Sequence, residues 1–161
     1  MTSERKNIDL IKTTESDLEI LFEFQLDEEA NYLAAFTPKD PTDKTAYIEK
    51  FTKHINDPTI NMWTIIVDDM IAGSIAKFVM EGNAEITFWI DKEYWGQGIA
   101  TNALKNFLKL EETRPIRGRA AYDNFASQKV MEKCGFKKTG TDKGFANARG
   151  KVIEEFIYKL D

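Results

Sequence analysis

The chain is poor in several residue types, and each shortage excludes a class of protein. One cysteine, Cys134, in 161 residues rules out an internal disulfide. With a single histidine, His54, that cysteine leaves no Cys/His set for zinc. No Asp-x-Asp-x-Asp-Gly calcium loop appears either, so no metal is expected. Basic residues are also in deficit. Lys and Arg number 22 against 27 Asp and Glu, a net charge of −5, which disfavours a dedicated nucleic-acid binder. No apolar run approaches the ~18 residues of a bilayer span, and Met1-Thr-Ser-Glu-Arg-Lys has no apolar signal core. The expectation is a cytoplasmic protein with no membrane partner. Pro38 and Pro41 bracket only a short loop, Phe36–Asp43, and no repeat or low-complexity tract occurs, so residues 1–161 read as a single domain. What remains is ordinary globular material, 42% hydrophobic and 30% charged. A chain of this length buries about 70% of its unfolded surface and needs no staple.

Hydrophobic periodicity gives the element order. Ile8–Ile11 reads as a strand, and a Ser16-Asp-Leu-Glu19 capping box precedes Leu18, Leu21, Phe22 and Leu26 at helical spacing. A second helix is expected from Thr42 or Asp43, burying Tyr47, Ile48, Phe51 and Ile55 and stopping before Pro58. Met62–Val67, Met70–Val79 and Ala84–Ile90 read as strands joined by short turns, as antiparallel neighbours are. A helix follows with Ile99, Ala100, Ala103, Leu104, Phe107 and Leu108 as its apolar stripe. Ile116–Tyr122 is a strand, and Asp123 or Asn124 caps a helix that ends at Gly135. Phe136–Thr141 and Val152–Leu160 close a hairpin with a long Gly144–Gly150 connection. The order β-α-α-β-β-β-α-β-α-β-β predicts an α+β fold, layered α/β/α. Its sheet is mixed, mostly antiparallel and twisted, with about seven strands flanked by about four helices.

The segment richest in chemistry is Ile90-Asp-Lys-Glu-Tyr-Trp-Gly96-Gln-Gly98-Ile-Ala100-Thr101. It leaves a strand, crosses a glycine-rich turn and enters an amphipathic helix. Glycines and the small Ala100 let an anion approach main-chain N–H groups, and the helix start adds unpaired donors and the positive dipole end. The same glycines would equally serve a plain strand-to-helix turn. No Gly-Lys-Ser/Thr follows as in a Walker loop, and Gly-x-Gly-x-x-Gly is incomplete.

This segment, together with Asn124-Phe-Ala-Ser127-Gln-Lys-Val-Met131-Glu-Lys-Cys-Gly135-Phe136, resembles the GNAT superfamily of N-acetyltransferases. Trp-Gly-x-Gly-x-Ala and Asn-x-x-Ser…Gly-Phe are similar to its ribosomal-protein N-terminal acetyltransferase branch. The resemblance spans essentially the whole chain. It implies acetyl-coenzyme A as cosubstrate, its pyrophosphate on Gly96, Gln97, Gly98, Ile99, Ala100 and Thr101, and its pantetheine arm along Glu85–Ile90 with Trp89 and Ile90 as main-chain partners. Trp95, Arg or Gln in the wider superfamily, is Trp in this branch. Asn124 matches an asparagine near the pantetheine, and Ser127 a serine that protonates the departing thiolate. Met131 stands where other branches have a tyrosine acid. Ala84-Glu-Ile-Thr-Phe88 is similar to the Ala-Glu-Ile-Val-Phe strand of the histone-acetylating members, which makes Glu85 the candidate base.

The implied reaction is direct attack of an amine on the thioester in a ternary complex, without an acetyl-enzyme. The acceptor would be a small molecule or a protein N-terminus, the enzyme a monomer or homodimer. Tyr32, Phe36, Tyr47 and Phe145 are expected to wall the acceptor cleft, and the acidic excess suits a cationic amine. A non-catalytic acyl-coenzyme A-binding or regulatory module on the same fold is the alternative; an unrelated phosphate-binding α/β domain is a third. Cys134 reads as packing, His54 as helix surface unless it reaches the acceptor, and Lys129, Lys133 and Arg114, Arg117, Arg119 as solvated basic clusters.

Overall fold

The computed structural model describes residues 7–161. The strands are β1 (Ile8–Lys12), β2 (Asn61–Val67), β3 (Met70–Met80), β4 (Asn83–Ile90), β5 (Ile116–Ala121), β6 (Lys137–Ala146) and β7 (Lys151–Leu160). The helices are α1 (Leu18–Gln25), α2 (Glu28–Ala34), α3 (Lys44–Asn56), α4 (Ile99–Leu110) and α5 (Phe125–Lys133). The strands form one sheet in the order β1-β2-β3-β4-β5-β7-β6. All pairings are antiparallel except β4 with β5, which α4 connects by a crossover. The expected α+β layering is observed.

Three details differ from the expectation. There are five helices, because α2 was not anticipated. Its seven residues, Glu-Glu-Ala-Asn-Tyr-Leu-Ala, carry too short an apolar stripe to announce a helix. Asp27 starts it by accepting the Ala30 N–H at 2.9 Å. The first cap lies earlier than Ser16: the Asp17 carboxylate accepts the Thr14 N–H at 3.0 Å and opens a single 3₁₀ turn before α1. Finally, β6 continues to Ala146, so the long Gly144–Gly150 connection shrinks to a tight turn. Gly144 marks a close approach within the strand, since a Cβ there would lie 3.3 Å from the Phe36 ring.

Two apolar layers hold the sheet between helices. On one face Ile65, Ile75, Ile86, Ile90 and Ile116 pack with Ile99, Leu104 and Phe107 of α4 and Met131 of α5. On the other, Leu18 and Leu21 of α1 meet Met62 and Ala76, with Tyr47, Phe51 and Ile55 of α3 against them. Gly118 lets α5 lie close on β5, since a side chain there would collide with the Met131 sulfur. The β4–β5 pairing covers only Glu85 with Arg117 and Ile86 with Gly118. Beyond Ile86 the ladder stops, and the β5-facing main chain of residues 87–90 has no strand neighbour.

Candidate active site

The gap where β4 and β5 part opens into a cavity of about 430 Å³. Its walls are Phe88, Trp89 and Ile90 of β4, the turn from Tyr94 to Thr101 without Gln97, the α5 face bearing Asn124, Ser127, Lys129 and Lys133, and Ala30, Leu33 and Ala34 of α2. Gly96 and Gly98 both take φ 76°, a left-handed conformation that side chains resist. Gly98 is the N-cap of α4 and has no side chain to offer. The N–H groups of Ile99, Ala100 and Thr101 therefore lack intrahelical partners, and all three residues line the cavity. The positive end of the helix dipole lies there too. The Trp95 indole donates to the Ile90 carbonyl at 2.9 Å, pinning the turn to the end of β4. Gln97 turns away, its amide donating to the Glu93 carbonyl at 3.1 Å.

Asn124 ties two walls together. Its Oδ1 accepts the Ser127 N–H at 3.3 Å, capping α5, and its Nδ2 donates to the Leu33 carbonyl at 3.3 Å. The Ser127 hydroxyl has no hydrogen bond among the described residues. Lys129 and Lys133 are exposed, as read from sequence, and stand one turn apart at the cavity edge. Met131 is buried beneath β5. The Cys134 thiol donates to the Thr101 carbonyl at 3.6 Å, and burial pushes its pKa up, which suits packing of α5 on α4 rather than nucleophilic chemistry.

A second cavity of about 460 Å³ lies against the other face of β4. Ser74 and Ala76 of β3 pair with Trp89 and Thr87 and so share that face. Phe24 and Gln25 of α1, the loop residue Phe36, and Tyr47, Lys50, Phe51 and His54 of α3 complete the walls. Phe88 and Trp89 line both cavities. The Trp89 indole N–H is buried without an acceptor. Burial and the nearby Lys50 ammonium hold the His54 imidazole below its ordinary pKa, and burial pushes the Tyr47 phenol up. No Asp or Glu among the described residues lines this cavity. The acidic excess is therefore not gathered in this cavity among the described residues. Phe36 and Tyr47 are wall residues as expected. Tyr32 instead lies under the Arg149 guanidinium, 3.8 Å from ring centroid to Cζ, and Phe145 is exposed opposite Val152.

Glu85 is in neither wall. It points to the same face as Thr87 and Trp89 but sits at the closed end of the gap, where β4 still pairs with β5. It is 1% exposed, and its Oε1 accepts from Arg119 Nε at 3.2 Å. Arg119 also binds Asp142 at 3.1 Å and Glu155 at 2.9 Å. Burial pushes the Glu85 pKa up against the pull of Arg119, and Oε2 has no partner. Arg114 is likewise engaged, donating to the carbonyls of Leu108, Glu111 and Thr113 after α4. No group of three His, Cys, Asp or Glu side chains converges as a metal would require among the described residues. None of the helices there is long and apolar enough to cross a membrane.

A split parallel strand pair with a side-chain-free helix start at its mouth offers free main-chain donors to an extended, anionic ligand. The profile of the acetyltransferase (GNAT) domain matches residues 7–137, and the chain belongs to that family. It is thus an acetyl-coenzyme A-dependent N-acetyltransferase with an amine acceptor. It is 24% identical to the uncharacterized N-acetyltransferase p20 of Bacillus licheniformis, over 96% of this chain and 93% of p20. Its fold is similar to RimL, a ribosomal-protein alpha-N-acetyltransferase, in complex with coenzyme A: TM-score 0.83, 20% identity, covering 95% of this chain and 93% of that one. It is also similar to spermidine N-acetyltransferase from Vibrio cholerae in complex with coenzyme A and spermine, with TM-score 0.80, 17% identity, and 95% and 94% covered.

Proposed function

We propose that acetyl-coenzyme A occupies the cleft between β4 and β5, and that the amine enters through the cavity on the opposite face of β4. Transfer is then direct attack in a ternary complex. The observation that carries this reading is the meeting of the two cavities at Phe88 and Trp89, where β4 has lost its β5 neighbour. The cosubstrate supplies an activated thioester. Main-chain groups of residues 88–90 pair with its extended arm as with an added strand, and hold the carbonyl by fixed dipoles. The N–H groups of Ile99, Ala100 and Thr101, in the turn opened by Gly96 and Gly98, hold the pyrophosphate, with Lys129 and Lys133 adding charge. Trp95 keeps that turn against the strand, and Asn124 keeps α5 and α2 in place.

Ser127 gives the departing thiolate its proton, a role the buried Met131 thioether lacks the chemistry to fill. The incoming amine must lose one. An alkylamine with pKa near 10 is only about 0.1% neutral at pH 7, so a base in the acceptor cavity helps. His54 lines that cavity, and its depressed pKa leaves it neutral and able to accept the proton. Glu85, bound to Arg119 outside both walls, ties β4 and β5 to β6 and β7 instead of serving as the base.

Calorimetry with coenzyme A and a thiol-release assay with an amine panel test this together. Tight binding lost in Gly98→Val, with amine-dependent thiol release by the wild type, is the expected result. Binding without release under any amine would favour a non-catalytic module, and unchanged binding in Gly98→Val would contradict the pyrophosphate assignment.

A further inference from the structure

The acceptor cavity has a positive charge at its rim and an unpartnered indole in its wall. The Trp89 indole N–H is buried with no acceptor. Lys50, exposed at the edge of the cavity, has no carboxylate within ion-pair distance among the described residues; its ammonium lies 5.4 Å from the Phe51 ring centroid. Around them the walls are aromatic, with Phe24, Phe36, Phe51 and Phe78, and no carboxylate lines them among the described residues. Resting on the acceptor assignment above, we infer that the acceptor is a small amino acid-like amine, carrying a carboxylate beside an aromatic or large apolar side chain, and that Lys50 determines this specificity.

The physical case runs through charge. A polyamine would bring several ammonium groups against a like charge, with no carboxylate among the described lining residues to pair with them. A carboxylated amine brings one anion, which Lys50 can pair with. Its side chain is buried among phenylalanines, which favours an aromatic or branched aliphatic body. The cavity of about 460 Å³ is of a size for a single such molecule. With the carboxylate at Lys50 on α3 and the side chain against the rings, the amine is left for the Phe88–Trp89 end, where the two cavities meet.

The test compares L-phenylalanine, phenethylamine and spermidine as acceptors in the thiol-release assay, using wild type and Lys50→Met. The wild type should show kcat/KM for L-phenylalanine about tenfold or more above phenethylamine, as one charge-assisted contact would give, and spermidine should be the poorest. Lys50→Met should raise KM for L-phenylalanine and bring it within about twofold of phenethylamine, with kcat little changed, as loss of uniform binding requires. Phenethylamine or spermidine matching L-phenylalanine in the wild type would overturn the inference. So would L-phenylalanine being inert while acetyl-coenzyme A binds and another amine is acetylated, an outcome that leaves N-acetyl transfer intact. An unchanged preference in Lys50→Met overturns the role of Lys50. Failure of coenzyme A to bind at all would instead overturn the donor-site reading beneath it.

Discussion

The two cavities that meet at β4 are built from different kinds of material. The proposed donor cleft takes most of its lining from one run of chain, residues 88–101, where a split ladder and a glycine-capped helix leave main-chain groups free. The acceptor cavity is assembled from side chains of α1, α3, β2, β3, β4 and a loop. A site made of main chain depends on backbone conformation and tolerates few changes of shape. A site made of side chains can be retuned one residue at a time. Mutations should therefore separate the two.

The largest effect is expected at the donor turn. A β-branched residue at φ 76° strains Gly98 by about 1–2 kcal/mol, which lowers Tm by only a few degrees in a chain of this size. The displaced N–H groups should nonetheless cost coenzyme A affinity about 100-fold in Gly98→Val, read by calorimetry beside a melting curve. Next comes the proton acceptor. His54→Gln should lower kcat/KM by about 100-fold and remove the acidic limb of its pH profile. In the wild type that limb falls as pH drops through a value below the ordinary 6.5, because burial and Lys50 disfavour the imidazolium. Glu85→Gln should leave the shape of that profile unchanged, and a lost or shifted limb there would return the base role to Glu85.

Smaller effects sharpen the comparison. Ser127→Ala should reduce kcat by roughly tenfold while coenzyme A affinity stays within about twofold, since only the leaving group is affected. A parallel loss of affinity would make Ser127 a binding residue. Lys129→Ala and Lys133→Ala should each raise KM for acetyl-coenzyme A only a few-fold, as exposed charges do, and the difference should shrink in high salt.

The same contrast explains what could be read from the amino-acid sequence. Gly96, Gly98 and Ala100 between a strand and an amphipathic helix are a local pattern, and the structure gathers all three at one cavity with Trp89, Ile90, Trp95, Asn124 and Ser127. Element order was legible for the same reason: periodicity and turns are properties of short windows. The short α2 escaped, although it forms a wall of the donor cleft, because seven residues do not display a face. Lys129 and Lys133 do present an exposed helix surface, and the approach of α5 to α4 brings that surface to the cavity edge. Glu85 shows the limit most clearly. The resemblance of its strand made it the candidate base, but its depth depends on where β4 leaves β5, and the partner that engages it, Arg119, lies 34 residues away. Nor did composition reveal that the acceptor cavity lacks carboxylates, since a net charge of −5 says nothing about where charge collects.

The central claim is that donor and acceptor occupy two cavities at once and react across their junction at Phe88 and Trp89. Initial velocities measured at several fixed concentrations of acetyl-coenzyme A while the amine is varied test it most directly. Double-reciprocal plots that intersect are the predicted result, because both substrates must be bound before either product leaves. Parallel lines, the signature of an acetyl-enzyme formed and discharged in turn at one site, would contradict it.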